Sequence, residues 1–461
     1  MADDRRTERD SMGEVSIPGW AYWGAQTQRA VENFSVSEHR IPGPMIRALA
    51  LIKKHAASAN AELGVMDEQF AAAVRDAADE VLRGQWDDHF PIDVFQTGSG
   101  TSWNMNANEL IANRANEILG HPIGKRHPVH PNDHVNRGQS SNDVIPTAIH
   151  IANRMELPGL AAAVRTLAVS FRRKADEFAK VVKIGRTHLQ DAVPMTVGQE
   201  FDGFAVQMKK NAERLERTMA NLEELALGGT AVGTGLNAHP QLAEKAIAGI
   251  AEETDIPFRP AQSRFEAIAN RDAQVELAGA LNSLAVSLMK IANDLRLLAS
   301  GPRAALGEIV LPELQPGSSI MPGKVNPVIP EMMIQVAAHV IGKAASITTA
   351  GQHGPLELNM MNPLIAHETL SAMSLLRESC TAFAGRCVDG ITVDEERCEY
   401  WIEWSLALVT PLATRLGYDK AAELAHQAFE QKRTIRDVLE SSGLLAADEI
   451  ARLLDPRSMT G

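Results

Sequence analysis

"RDAQVELAGALNSLAVSLMKIANDLRLLAS", residues 271–300, decides the fold class. Its large apolar residues Leu277, Leu281, Leu284, Leu288, Ile291, Leu295 and Leu298 alternate steps of four and three, a period of about 3.5 residues. That period belongs to a helix packed nearly parallel to its neighbours, and about 28 residues in it predict a rod about 42 Å long. A rod of that length needs company. Residues 157–182, 198–227, 330–349 and 364–384 supply four more long helical stretches between Gly/Pro-rich connectors, so the class is mainly α with a long-helix bundle at its centre. A leucine stripe at this spacing is core, and no chemistry is assigned to it. The apolar flanks that one bundle leaves uncovered point to self-association.

A chain of 461 residues exceeds one compact core. The texture divides it into a mixed, mainly helical segment (1–139), the long-helix segment (140–392) and a small helical segment (393–461). With 45 basic against 58 acidic residues the formal charge is −13, which argues against nucleic acid or anionic lipid as a general partner. A locally positive site would still take an anionic small molecule. The opening "MADDRRTERDSMGEV" has no apolar signal core, and no stretch offers the roughly 20 uninterrupted apolar residues of a membrane helix. Cys380, Cys387 and Cys398 match no zinc spacing and read as incidental thiols in a reducing compartment. A cytoplasmic location is expected.

Four polar segments break the helical texture: "TGSGTSWNMN" (97–106), "QSSND" (139–143), "GRTHLQD" (185–191) and "GSSIMPGKVNP" (317–327). Gly317, Pro322, Gly323 and Pro327 make the last a loop. Each segment joins Gly or Pro to hydroxyl, amide, imidazole or ammonium groups just before a helix-like stretch, the chemistry of an anion site. Helix capping explains any one of them; four together, with His188 and Lys324, favour a site. Glu331, opening the next helix, serves either that helix N-terminus or the orientation of an imidazole. His127, His130 and His134 are separated by Pro128 and Pro131, so no helix face collects them and no metal is expected. "TGSGTSWN" lacks the ending of a nucleotide-binding loop.

Taken together with "MGEVSIP", "WGAQTQRAVENF" and "ELALGGTAVGTGLN", these segments resemble the aspartase/fumarase superfamily over nearly the whole chain, most closely the class II fumarate hydratases. Aspartate ammonia-lyases resemble it too. His188, Gly229, Gly323 and "QSSND" favour the hydratases, since ammonia-lyases tend to carry glutamine, alanine, alanine and "QSTND" there. The resemblance implies a three-domain, metal-free and cofactor-free homotetramer with a central bundle of twenty helices. Each active site would draw on three subunits and hydrate fumarate, a small dicarboxylate, reversibly to L-malate.

By the same resemblance Ser318 matches the catalytic base, and His188 would handle water on the opposite face with Glu331 orienting its ring. Lys324 and Asn326, beside Val325 and Ser319, would meet the charge of an aci-carboxylate. Ser99, Gly100, Thr101, Ser140, Ser141, Asn142 and Thr187 would hold the substrate carboxylates. His130, Pro131, Asn132 and Asp133 resemble a second, non-catalytic dicarboxylate site. Chemistry alone does not choose Ser318 over Ser319. Three departures from the family pattern leave room for another substrate: Trp103, which either reshapes the pocket or fills a helix interface; Gly138, where serine or cysteine is usual; and Leu356, which turns the usual "FELN" into "LELN". An ammonia-lyase and a catalytically idle scaffold are the competing expectations.

Overall fold

The leucine seam becomes the Asp272–Leu298 helix, with Leu277, Leu281, Leu284, Leu288, Ile291 and Leu295 at most 1% exposed. A computed structural model describes residues 5–461. By length and a mean hydropathy of 1.4 this helix would pass for a membrane span, but the buried seam reads as a core helix. The other long helices are Ser141–Glu177, Val197–Arg217, Val328–Gly351 and Asn362–Arg386.

Two of these differ from expectation. The first begins at Ser141 rather than near Leu157, and runs through Pro146 and Pro158. A proline inside a helix costs about 3 kcal/mol; here Ile145, Leu157 and Leu160 around them are fully buried, and packing outweighs that cost. The second ends at Arg217, where a short 3-10 turn at Met219–Glu223 breaks it.

The chain divides into two compact units, and the division cuts all five long helices. One unit comprises the chain up to Ala161 with Glu213–Ser283 and His339–Leu376. In it the Gly43–Glu62 helix packs on Glu68–Leu82 and Leu242–Thr254. Ala56 and Ala59 on the first helix and Ala71 and Ala77 on the second are among their buried residues. Ala278, Ile347 and Ile365 join three of the long helices in a small core.

The Thr101–Ile118 helix is buried over most of its circumference and carries asparagines inward. Asn106, Asn113 and Asn116 donate to the carbonyls of His89 (3.0 Å), Tyr22 (2.8 Å) and Val129 (2.9 Å). Glu109, fully buried, accepts from the backbone of Gly24, Gln26 and Thr27 and so caps the Ala25–Asn33 helix from outside it. Loops that would otherwise be free are stitched to one rigid element.

The second unit holds Ala162–Ala212, Leu284–Ala338 and Arg377–Gly461. Its core includes Phe171, Phe201, Phe204 and Phe383, which bring three long helices together through edge-on and tilted rings. The helices after Asp394, which caps Glu395–Trp404 through its side chain, pack Leu412, Leu424, Val438, Leu439 and Leu454 against Ile184. Ile184 lies on an antiparallel hairpin of Val182–Thr187 and Gln190–Thr196. The small C-terminal segment is thus the platform of that hairpin. Cys380, Cys387 and Cys398 are buried free thiols.

Candidate active site

In the first unit the segments at 97–106 and 139–143 come together. Gly98 lies so close to the backbone of Met360 that a Cβ would fall 1.9 Å from its carbonyl oxygen, so glycine is required. Gly100, at φ +77°, turns the chain into the Thr101–Ile118 helix, and the hydroxyls of Ser99 and Thr101 lie 2.8 Å apart. Asn104 Nδ2 donates to Ser141 Oγ at 3.0 Å and to Asn136 Oδ1 at 3.2 Å.

The turn into the long helix at Ser141 is held by Asp143. One carboxylate oxygen accepts from Ser140 N (2.9 Å), the other from Gly228 N and Thr230 N (2.9 Å each). Burial nevertheless pushes its carboxyl up to about 6, against the pull of those hydrogen bonds and of Lys53. Asn142 Nδ2 donates to Ala231 O (2.8 Å), and Ser140 Oγ accepts from Asn142 N (3.2 Å). The "LGGTA" stretch is therefore the seat of "SSND". A Cβ on Gly229 would lie 2.7 Å from Ile268 Cδ1, which explains glycine there.

Lys53 lies beneath, with no exposed surface, donating to Asn136 Oδ1 and Gln139 Oε1 at 2.9 Å each. Burial pushes its ammonium down to about 7. Sequence reasoning missed Lys53, Asn104 and Asn136 and gave Asp143 no role. Lys53 and Asn104 lie far in the chain from Asn136 and Asp143, and no local pattern joins them.

The second unit holds the other two segments. "GRTHLQD" does not precede a helix: it is the tip of the hairpin, with His188 and Leu189 both in the left-handed region (φ +55° and +61°). Two consecutive left-handed residues make the tight turn that matches strand twist, and few side chains favour it. Thr187, His188 and Leu189 are exposed. The strands beneath are pinned by a buried ion cluster. Lys183 pairs with Glu200 (2.7 Å) and Glu308 (3.3 Å), and Arg186 with Glu308 (2.8 Å).

"GSSIMPGKVNP" is a loop, as its glycines and prolines require. It closes on itself through Gly317 N to Lys324 O (2.8 Å) and Asn326 Nδ2 to Gly317 O (2.6 Å). Ser318 Oγ accepts from the backbone N–H groups of Ile320 (3.2 Å) and Met321 (3.0 Å). Ser319 is exposed. Lys324, Val325, Asn326 and Glu331 line a cavity of about 640 Å³ together with Asn293 and Arg296. Glu331 stands in the first turn of Val328–Gly351, where its charge suits the helix N-terminus. Among the described residues it makes no hydrogen bond to His188.

The remaining candidates resolve as follows. His130 Nδ1 accepts from the backbone of Asn132 and Asp133 at 3.2 Å each, so the two N–H groups beside Pro131 that an anion would use already have a partner. Burial holds the His130 imidazole below its ordinary range, in keeping with an accepting nitrogen. Trp103 is fully buried, which answers for the interface reading. Gly138 sits at φ +71°, a backbone that serine or cysteine adopts only with strain, and Leu242 Cδ2, 2.6 Å from where a Cβ would be, would have to shift to admit one. Leu356 is 85% exposed and left-handed; nothing in the structure explains its departure from phenylalanine.

Residues 13–342 match the family described as lyase, and residues 408–461 the fumarase C C-terminus. The chain is 50% identical to the class II fumarate hydratase of Neisseria meningitidis, covering 98% of each chain. It is 53% identical to that of Halobacterium salinarum, covering 100% of this chain and 98% of the relative. The crystal structure of the class II fumarase from Schistosoma mansoni superposes with a TM-score of 0.96 at 39% identity, over 99% of both chains. With its fold and nearly its full length matched in this way, the chain belongs to the class II fumarate hydratases of the lyase family.

Proposed function

We propose that the chain reversibly hydrates fumarate to L-malate without a resident metal, as the cytoplasmic enzyme of the tricarboxylic acid cycle. The observation that carries the mechanism is the Ser318 hydroxyl. Two backbone N–H groups aimed at one oxygen stabilise the alkoxide more than the alcohol, which is what a serine needs to act as a base. Ser318 then takes the proton beside a malate carboxylate. The aci-carboxylate that forms carries extra charge, met by Lys324 and Asn326 with Val325 and Ser319 around them. His188 works on the opposite face, protonating the departing hydroxyl or, in hydration, deprotonating water; Glu331 orients its ring. Ser99, Gly100, Thr101, Ser140, Ser141, Asn142 and Thr187 hold the carboxylates through neutral donors, and fixed orientation supplies much of the rate.

The working form is a homotetramer whose long helices form a bundle of twenty and whose sites each draw on three subunits. The exposed hairpin tip, with Leu189 at 72% exposure, and Ile320 at 83% beside Ser318 support this reading. Val169, Val286 and Leu297, exposed on the long helices, support it too. Segments 1–139, 140–392 and 393–461 are its three domains. His130, Pro131, Asn132 and Asp133 form a second dicarboxylate site once the His130 cap yields. The ammonia-lyase reading is not favoured: Gly323, at φ +79°, and the crowded Gly229 disfavour the alanines of that branch.

The test follows fumarate absorbance after addition of L-malate or L-aspartate to chelator-treated protein. Signal from malate, abolished by Ser318→Ala, is expected; signal from aspartate alone overturns the proposal.

A further inference from the structure

The exposed tip that carries His188 has no side-chain tether of its own. Among the described residues no hydrogen bond or ion pair holds the imidazole, and Thr187 and Leu189 on either side of it are exposed. What sets its direction lies two residues back. Arg186 Nη1 donates to Glu308 Oε1 at 2.8 Å, and Glu308 Oε2 pairs with Lys183 Nζ across 3.3 Å. Lys183 Nζ also donates to Glu200 Oε2 at 2.7 Å. Glu308 has no exposed surface, and the side chains of Lys183 and Arg186 are 4% and 13% exposed.

One carboxylate holding both cations is not what a regular strand would give. Successive side chains alternate between faces, so residues three apart point oppositely. Here the register shifts between Ile184 and Arg186, where Gly185 alone lies opposite Ala192 and Val193. A bulge of this kind sharpens the local twist and re-aims side chains. A Cβ on Gly185 would fall 2.8 Å from Val193 O, which favours glycine at the bulge.

Glu308 is fixed independently of its carboxylate. Its N–H donates to Leu298 O (2.9 Å), its carbonyl accepts from Asp394 N (3.0 Å), and the Ile309–Val310 strand that begins after it pairs with Thr392–Val393. Just before it, Arg397 Nε and Trp401 Nε1 donate to the carbonyl of Leu306 at 3.0 and 2.8 Å. The anchor therefore belongs to the end of the Asp272–Leu298 helix and to the C-terminal platform, and the Glu308 side chain extends that anchorage to the hairpin.

A buried ion pair is weak evidence for stability, because desolvation offsets much of its attraction. The packing of the hairpin comes instead from Ile184 among Leu412, Leu424 and Val438. What the charged hydrogen bonds add is a fixed geometry close to the tip. We propose that Glu308 is a positioning residue for His188: through Lys183 and Arg186 it fixes the angle at which the hairpin tip presents the imidazole. The inference rests on the hydration mechanism above, in which His188 handles water. Glu308 itself touches no substrate, and its effect passes through the tip.

Steady-state kinetics of the full-length enzyme as His188→Asn, Glu308→Gln and the two combined test this, with thermal melting of each to confirm folding. Glu308→Gln is expected to lower kcat for malate by about 10- to 100-fold, the scale of a misplaced catalytic group, with KM nearly unchanged. In the His188→Asn background the same change should lower the residual kcat by less than about twofold, since there is no longer an imidazole to aim. A purely structural role would cost the same factor in both backgrounds. Should Glu308→Gln fail to fold, Arg186→Gln takes its place with the same expectations, because it leaves Glu308 its Lys183 partner. Equal losses in the two backgrounds, a loss confined to KM, or an unchanged kcat overturns the proposal while leaving the role of His188 standing. Normal malate turnover in His188→Asn overturns that role, and the inference with it.

Discussion

Asn104 Nδ2 donates to the hydroxyl of Ser141 at 3.0 Å, and this bond ties the loop after Gln96 to the start of the first long helix. Asn104 is buried and also reaches Asn136, which Lys53 holds in turn. The Ser141 hydroxyl is thus positioned by one buried amide.

Asn104→Ala leaves Ser141 and Asn136 without that donor, at a cost of about 1–3 kcal/mol. Because the affected groups are proposed to grip carboxylates in ground and transition state alike, KM for malate is expected to rise more than kcat falls. Steady-state kinetics in both directions checks this split.

Ser318→Ala and Ser319→Ala should behave very differently. Only the first removes an oxygen held by two backbone N–H groups. Loss of a general base lowers kcat by about 10²- to 10⁴-fold, and Ser319→Ala should fall far short of that. Equal losses in the two variants would return the choice of base to open question.

Gly317 and Gly323 make the loop, for different reasons. A Cβ on Gly317 would lie 2.6 Å from both Asn326 N and Lys324 O, which cannot move without opening the loop. At Gly323 there is open space, and the cost is the left-handed backbone alone, roughly 1–2 kcal/mol. Gly317→Ala is therefore expected to abolish malate turnover and Gly323→Ala to reduce it, with thermal melting little changed in either.

Lys53 carries a pH signature. Its folded value, about 7, lies below the ordinary 10.5, so between those values the unfolded chain binds a proton that the folded chain does not. Stability from this residue therefore rises as pH rises from about 7 towards 10, and is lost as pH falls. In Lys53→Met that contribution is absent. Urea midpoints compared across this window should diverge with increasing pH, in favour of the natural residue.

What the sequence revealed follows from the range of the forces involved. The leucine seam at Leu277 to Leu298 was legible because periodicity is local, and burial followed it. The start at Ser141 was not, since Pro146 and Pro158 signal a break that only packing around Ile145 and Leu160 can override. The loop at Gly317 was legible from its glycines and prolines. The hairpin at His188 was misread, because His and Leu are unusual at left-handed positions and "RTHLQD" carries no turn residue at its tip. Roles for Ser318 and His188 came from family resemblance. The support beneath the polar segments, Lys53 under Gln139 in one unit and Glu308 under Arg186 in the other, joins residues 86 and 122 positions apart. No window of sequence contains both partners.

The three thiols have a practical meaning. Cys380, Cys387 and Cys398 are buried, and burial pushes each up to about 12, so none offers thiolate to a reagent while its surroundings stay intact. All three belong to the unit built around the hairpin platform. Alkylation by iodoacetamide therefore clocks how often that half of the molecule opens, and the chain carries its own gauge of breathing without any label being added.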